Sequence, residues 1–223
     1  MTAGSILVID IGGISVKLTL GDLEASVASC SFSTPENMGP QQLISGLDQH
    51  ISDWQYERVS IGYPGPVKHN RPWREPVNLG PGWLDFDYEA AFGCPVKMLN
   101  DAAMQALGSY HGGDMLFLGL GTGLGTALIL NDTVVPLEAA HLPFRGEQTF
   151  EYLLGQAGLT DLGQDQWQHN LLDAIDVFSY VFCTDYIVLG GGNSQNLDPD
   201  QLPENVHIGH NDNAFTGGFR LWD

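Results

Sequence analysis

At 223 residues, 43% hydrophobic and 10% aromatic, the chain can bury a core of its own and is not composed like a disordered segment. Eight Lys and Arg against 27 Asp and Glu leave a net charge of −19, which opposes nucleic acid and anionic membrane surfaces as partners. No apolar run reaches the roughly 20 residues that span a bilayer. The first five residues carry no basic group, unlike a secretory leader, so a cytoplasmic location is expected.

Ile6–Asp10 is a short apolar run that leads into Gly12-Gly13. In Ser15–Leu20, Val16, Leu18 and Leu20 then alternate with Lys17 and Thr19, the period of a half-buried strand. Gly21-Asp22 signals a hairpin into a third strand near Ala25–Phe32. Leu43, Leu47, Ile51 and Trp54 recur at helical spacing. Val59–Tyr63 reads as a buried strand stopped by Pro64-Gly65-Pro66. Residues 67–85, rich in Pro, Gly and Trp, read as a long loop of the kind that carries function. Three of the eight cations, Lys68, Arg71 and Arg74, fall in seven residues of it.

Val96–Leu99 is another strand, and Asn100 is placed to cap a helix over Ala102–Tyr110. Strands at Met115–Leu118 and Thr126–Leu130 flank the run Gly119-Leu120-Gly121-Thr122-Gly123-Leu124-Gly125. Helices are expected at Gln148–Gly155 and Gln166–Cys183, the second apolar on one side through Leu171, Leu172, Ile175, Phe178 and Phe182. A strand at Asp185–Leu189 ends in Gly190-Gly191-Gly192, followed by a short strand at Val206–Ile208 and a helical tail at Asn213–Trp222. A strand hairpin followed by strand–helix alternation therefore occurs twice, from residue 6 and from residue 115. This predicts two α/β lobes, 1–99 and 100–223, with a cleft between them.

Glycine after a strand lets backbone N–H groups approach an anion, because no Cβ intervenes. Two such loops can hold one polyphosphate, and the Asn100-Asp101 pair between them offers a carboxylate base for an incoming hydroxyl. That combination points to a kinase. Asp101 reads equally as part of an N-terminal helix cap, and the two roles are compatible. The three cysteines (Cys30, Cys94, Cys183) lack any CxxC spacing and read as small buried hydrophobes.

In chain order, Asp10-Ile11-Gly12-Gly13-Ile14-Ser15-Val16-Lys17, Gly62-Tyr63-Pro64-Gly65-Pro66-Val67, Asn78-Leu79-Gly80 with Trp83, Asn100-Asp101, Gly121-Thr122-Gly123-Leu124-Gly125 and Gly190-Gly191-Gly192 resemble the motifs of the ROK family of sugar kinases, polyphosphate glucokinase type. The resemblance implies an actin-like ATPase (ribonuclease H-like) fold and phosphoryl transfer from ATP or polyphosphate to the 6-hydroxyl of glucose or a related hexose. It also implies Mg2+ and a homodimer. Asp101 is then the base, and Asn78 and Asn100 bind sugar. Asp10, Gly12, Gly13, Lys17, Gly121, Thr122, Gly123, Gly190 and Gly191 serve the phosphates and nucleotide. Asp10 also orients Mg2+ through water, although it reads alternatively as a turn-initiating residue. Lys17 reads equally as a solvated strand lysine.

Glu138-Ala139-Ala140-His141 resembles the family's ExGH, whose Glu and His grip sugar hydroxyls. Glu151 fits a further sugar-binding Glu, with Glu147 as the alternative register. Two positions depart from the pattern: Ile14 stands where a hydroxyl residue is expected, and Ala140 where a glycine is. No cysteine lies in residues 142–158, so the family's zinc motif is missing and no zinc is expected. The alternatives are a non-catalytic sugar-binding sensor and a kinase for an amino sugar. A repressor is disfavoured, since the first strand at residue 6 leaves no room for a DNA-binding helix-turn-helix ahead of it.

Overall fold

The computed structural model describes residues 4–210 and 212–223. They form two compact units: one runs to Met104 and takes back Ala214–Asp223, the other is Gln105–Asn213. The first contains β1 (Ile6–Ile11), β2 (Ser15–Gly21), β3 (Ser26–Ser33), α1 (Pro40–Ile51), β4 (Arg58–Tyr63), β5 (Val67–Lys68), β6 (Arg71–Pro72), α2 (Tyr88–Phe92), β7 (Val96–Asn100) and the first turn of α3 (Asp101–Ser109). The second contains the rest of α3, then β8 (Met115–Leu120), β9 (Leu124–Leu130), β10 (Thr133–Leu137), β11 (Pro143–Arg145), β12 (Gln148–Thr149), α4 (Phe150–Leu154), α5 (Gln156–Leu162), α6 (Gln164–Phe182), β13 (Tyr186–Gly190) and β14 (Val206–Ile208). Helix α7 (Asn213–Arg220) closes the chain.

The two main sheets share one plan. Their orders are β3-β2-β1-β4-β7 and β10-β9-β8-β13-β14. In each, the first three strands in sequence meander antiparallel and the last two run parallel to the first. Parallel strands are covered on both faces, which is why β1 is an unbroken apolar run whose six residues are all buried. On one face Leu7, Ile9 and Ile11 pack with Leu43, Leu47 and Ile51 of α1. On the other, Ile6 and Val8 need a different cover, and Ala214 and Phe219 of α7 supply it together with Met104. Hydrogen bonds secure α7 there: Ser60 Oγ donates to the Gly218 carbonyl at 2.6 Å, and Trp222 Nε1 donates to Ser60 Oγ at 2.8 Å. The tail therefore belongs with the first sheet, and the compact units differ from a simple split at residue 99.

Local differences from the expected elements have equally local causes. The loop at 67–85 contains the β5–β6 hairpin, whose two-residue strands are too short for any periodicity to register. The helix expected at Gln148–Gly155 starts at Phe150, because Gln148 and Thr149 pair with β11 and Thr149 caps the helix through Tyr152 N at 3.2 Å. Leu171, Ile175 and Phe178 of α6 are buried in the core of the second unit, while Val177, Tyr180 and Val181 face outward. No helix among the described residues is long and apolar enough to cross a membrane.

Candidate active site

In the first unit the polar groups gather at the carboxyl ends of β1, β4 and β7. Asp10 lies in register with Lys17 across β2 and with Gly62 across β4. Only 8% of Asp10 is exposed, and its Oδ1 lies 3.4 Å from where a Cβ on Gly62 would stand. Burial pushes the carboxyl above its usual range, with the Lys17 ammonium pulling the other way. None of the hydrogen bonds among the described residues uses that carboxylate. The turn-initiating role is therefore not what it does: the turn is closed instead by Gly12 N donating to the Ser15 carbonyl at 3.0 Å. Thr34 Oγ1 ties the turn down by donating to the Gly12 carbonyl at 2.6 Å. A buried, desolvated carboxylate with no donor beside it is a group suited to a cation. Gly13 is open, and Ile14 projects into solvent with 81% of its surface exposed.

Asn100 ends β7 and begins α3. Its Oδ1 accepts from Ala103 N at 3.2 Å, the expected cap, while Nδ2 donates to the Gly65 carbonyl at 3.3 Å. One amide hydrogen is left for a ligand. Asp101 is the first residue of α3, with Oδ1 accepting from Ala102 N at 2.8 Å, at a helix end where the dipole favours negative charge.

Asn78 is exposed, on a segment closed by groups the sequence did not single out. The two carboxylate oxygens of Glu75 accept from Gly82 N at 3.0 Å and Trp83 N at 3.1 Å. Trp83 itself is fully buried, donating from Nε1 to the Gly80 carbonyl at 2.7 Å, so it holds the loop's shape rather than facing a ligand. The signal for Glu75 was present in its proximity to the Pro-Gly-Trp segment, but a carboxylate that binds backbone amides has no spacing signature.

In the second unit, residues distant in sequence come together. His141 Nδ1 lies 3.3 Å from Glu151 Oε2, and His141 Nε2 lies 3.5 Å from Glu138 Oε2. Glu138 and His141 bracket a single 3-10 turn, Ala139–His141, and Glu151 is in the first turn of α4. Ala140 is buried in that turn and is not among the residues with positive φ, so the position does not require glycine. Glu147 is exposed in the β11–β12 turn, which favours Glu151 as the partner of His141. The glycine loop lies beside this cluster: a Cβ on Gly123 would overlap the Glu151 carboxylate. The loop is shaped by Gly121 N donating to the Gly123 carbonyl at 3.0 Å, and by Gln156 N donating to the carbonyls of Gly121 (3.0 Å) and Thr122 (3.2 Å).

Gly190 pairs with Gly119, and Gly191 takes φ +80° where a Cβ would overlap the Leu120 carbonyl. Asn193 Nδ2 donates to the Gly121 carbonyl at 3.1 Å. The third glycine cluster thus sits against the start of the second.

The family model described as the ROK family matches residues 6–136, more than half of the chain. The chain belongs to the ROK family. It is 24% identical over 208 residues to the polyphosphate glucokinase of Mycobacterium tuberculosis, covering 85% of this chain and 78% of that one. It is 29% identical over 142 residues to the bifunctional enzyme NanE/NanK of Brucella melitensis, covering 58% of this chain but only 27% of that protein. Among solved structures, the inorganic polyphosphate/ATP-glucomannokinase of Arthrobacter sp. strain KM superposes with a TM-score of 0.81 at 22% identity, over 99% of this chain and 100% of that one. The fold is therefore the α/β, two-lobed actin-like ATPase fold of the ROK kinases.

Proposed function

We propose that this ROK protein is a sugar kinase that transfers the terminal phosphoryl group of ATP, with polyphosphate as the alternative donor, to the 6-hydroxyl of glucose or a closely related hexose. The observation that carries the reading is the Glu138–His141–Glu151 cluster, two carboxylates and an imidazole that meet beside a glycine loop, a set of groups suited to adjacent sugar hydroxyls. Carboxylates accept from hydroxyls in charge-assisted hydrogen bonds, and the imidazole fixes their spacing.

In the reaction, Asp101 accepts the proton of the acceptor hydroxyl as its oxygen bonds to phosphorus. The bond from that phosphorus to the bridging oxygen breaks, and the shortened donor leaves with the electron pair. Asn100 orients a neighbouring hydroxyl through its remaining amide hydrogen. The backbone N–H groups around Gly12-Gly13 and Gly121-Thr122-Gly123 take up charge on the phosphates, and Gly190 and Gly191 support the nucleotide side. Mg2+ fits Asp10, because magnesium takes few protein carboxylates and keeps water and phosphate ligands. When bound it neutralises phosphate charge. Lys17 faces the same group and serves the same end.

The second acceptor class is an amino sugar. The exposed Val177, Tyr180 and Val181 of α6 are the surface offered to the homodimer that the family resemblance implies.

A coupled assay over a panel of hexoses and N-acylated amino sugars, with ATP and with polyphosphate, tests the reading. Turnover with glucose or a near relative is expected. Turnover confined to amino sugars moves the acceptor, and sugar binding without turnover rejects the kinase.

A further inference from the structure

The −19 chain carries one surface built in the opposite sense. At the end of the β5–β6 hairpin, Lys68 and Arg71 are directly opposite one another. Cross-strand partners project to the same face, and like charges so placed repel. Lys68 Nζ also sits 3.6 Å from the centre of the Trp73 ring, and Arg74 lies over the same ring at 4.8 Å, so a third cation is held beside the first two. All three side chains are exposed, and among the described residues none is in an ion pair, although the chain has 27 carboxylate side chains to offer.

The arrangement is also rigid. His69 and Asn70 both take positive φ, 51° and 63°, as a two-residue turn between twisted strands requires. The Asn70 side chain then bonds the free edge of β7 twice, Nδ2 donating to the Val96 carbonyl at 2.7 Å and Oδ1 accepting from Met98 N at 2.6 Å. Cations left unneutralised on an anchored hairpin meet an anion with less backbone left to order.

We propose that this hairpin binds the trailing phosphates of a linear inorganic polyphosphate, the donor alternative left open above, on whose kinase reading it rests. The anchor on β7 gives the scale. Val96 and Met98 precede Asn100 by four and two residues, which at about 3.3 Å per strand residue puts the hairpin roughly 7–13 Å along the strand from the Asn100-Asp101 pair. A donor that reacts at Asp101 and reaches the hairpin is an extended chain of phosphates, whereas the triphosphate of ATP ends in adenosine. The terminal P–O–P bond breaks, the new bond forms to the sugar oxygen, the proton passes to Asp101, and the chain shortened by one phosphate keeps the electron pair. Lys68, Arg71 and Arg74 touch only the part that does not react.

The test is the triple variant Lys68→Ala, Arg71→Ala, Arg74→Ala, with circular dichroism as the folding control. Binding of long-chain inorganic polyphosphate is measured by calorimetry across a salt series, and ATP-driven turnover by coupled assay. The proposal expects polyphosphate binding to weaken about tenfold or more. The slope of log affinity against log salt should flatten by about two, as three phosphate contacts on a flexible polyanion would give. ATP-driven turnover should be unchanged. Undiminished polyphosphate binding with an unchanged slope would overturn it, as would a parallel loss of ATP turnover or equal binding of a single-stranded oligonucleotide by the wild type. The calorimetric arm reads binding alone, so it decides the matter even if no sugar is turned over.

Discussion

In the first unit Asn100 and Asp101 are held by backbone, whereas in the second Glu138, His141 and Glu151 are held by one another. Asp10 and Asn100 are each only 8% exposed, and Asn100 and Asp101 are tied to main-chain amides of α3. Glu138, His141 and Glu151 keep between 44% and 63% of their side-chain surface exposed and meet chiefly through their own contacts. A group that must take a proton at a fixed point gains from a rigid frame. Groups that must take up and release a hydroxylated ligand gain from remaining hydrated. Under the proposed function, the chemistry falls to the first unit and acceptor affinity to the second.

The largest expected effect is that of Asp101→Asn. Turnover should fall about a hundred- to ten-thousandfold, as for loss of a general base, while calorimetric sugar affinity stays close to wild type. A variant that loses sugar binding instead would erase the distinction between the units. Glu151→Gln and His141→Ala should do the reverse, raising the KM for sugar about ten- to a hundredfold through loss of charge-assisted hydrogen bonds, with kcat largely kept. Equal losses in kcat would place the cluster in the chemistry.

Smaller effects probe the frame. Asn70→Ala removes two half-buried bonds to β7 and should cost about 2 kcal/mol in thermal or denaturant unfolding, with ATP-driven turnover retained. For Asp10, burial raises the folded-state pKa above the ordinary 3.8, so the folded chain holds this proton longer than the unfolded one does. Its contribution to stability therefore falls as pH rises through that window. Asp10→Asn should remove this slope and raise the Tm of the ligand-free protein at neutral pH while lowering activity. Unchanged pH dependence of the melting curve would show that the charge is compensated.

What the sequence made legible was what is encoded locally. Ile6–Ile9 read as a strand because it is apolar on both faces, Asn100 as a cap because Asn at a strand end accepts from an amide three residues on, and the second glycine run as a loop because glycine after a strand leaves backbone N–H groups open to an anion. Glu138 and His141 were legible because a single turn joins them. Glu151 was named only by family resemblance, since nine residues and a small hairpin separate it from His141. The β5–β6 hairpin was not legible: its turn is His69-Asn70, with no glycine to announce positive φ, and its strands are two residues long. The tail was legible as a helix but its return to the first sheet was not, because α7 is secured by Val8 and Ser60, about two hundred and one hundred and sixty residues earlier.

Phosphorus NMR of the wild-type protein with ATP, Mg2+ and glucose tests the central claim most directly. A sugar 6-phosphate resonance, coupled to the protons on C6, should grow one for one with ADP and be absent for Asp101→Asn. Inorganic phosphate released in place of a sugar phosphate, or glucose bound with ATP left intact, would contradict it.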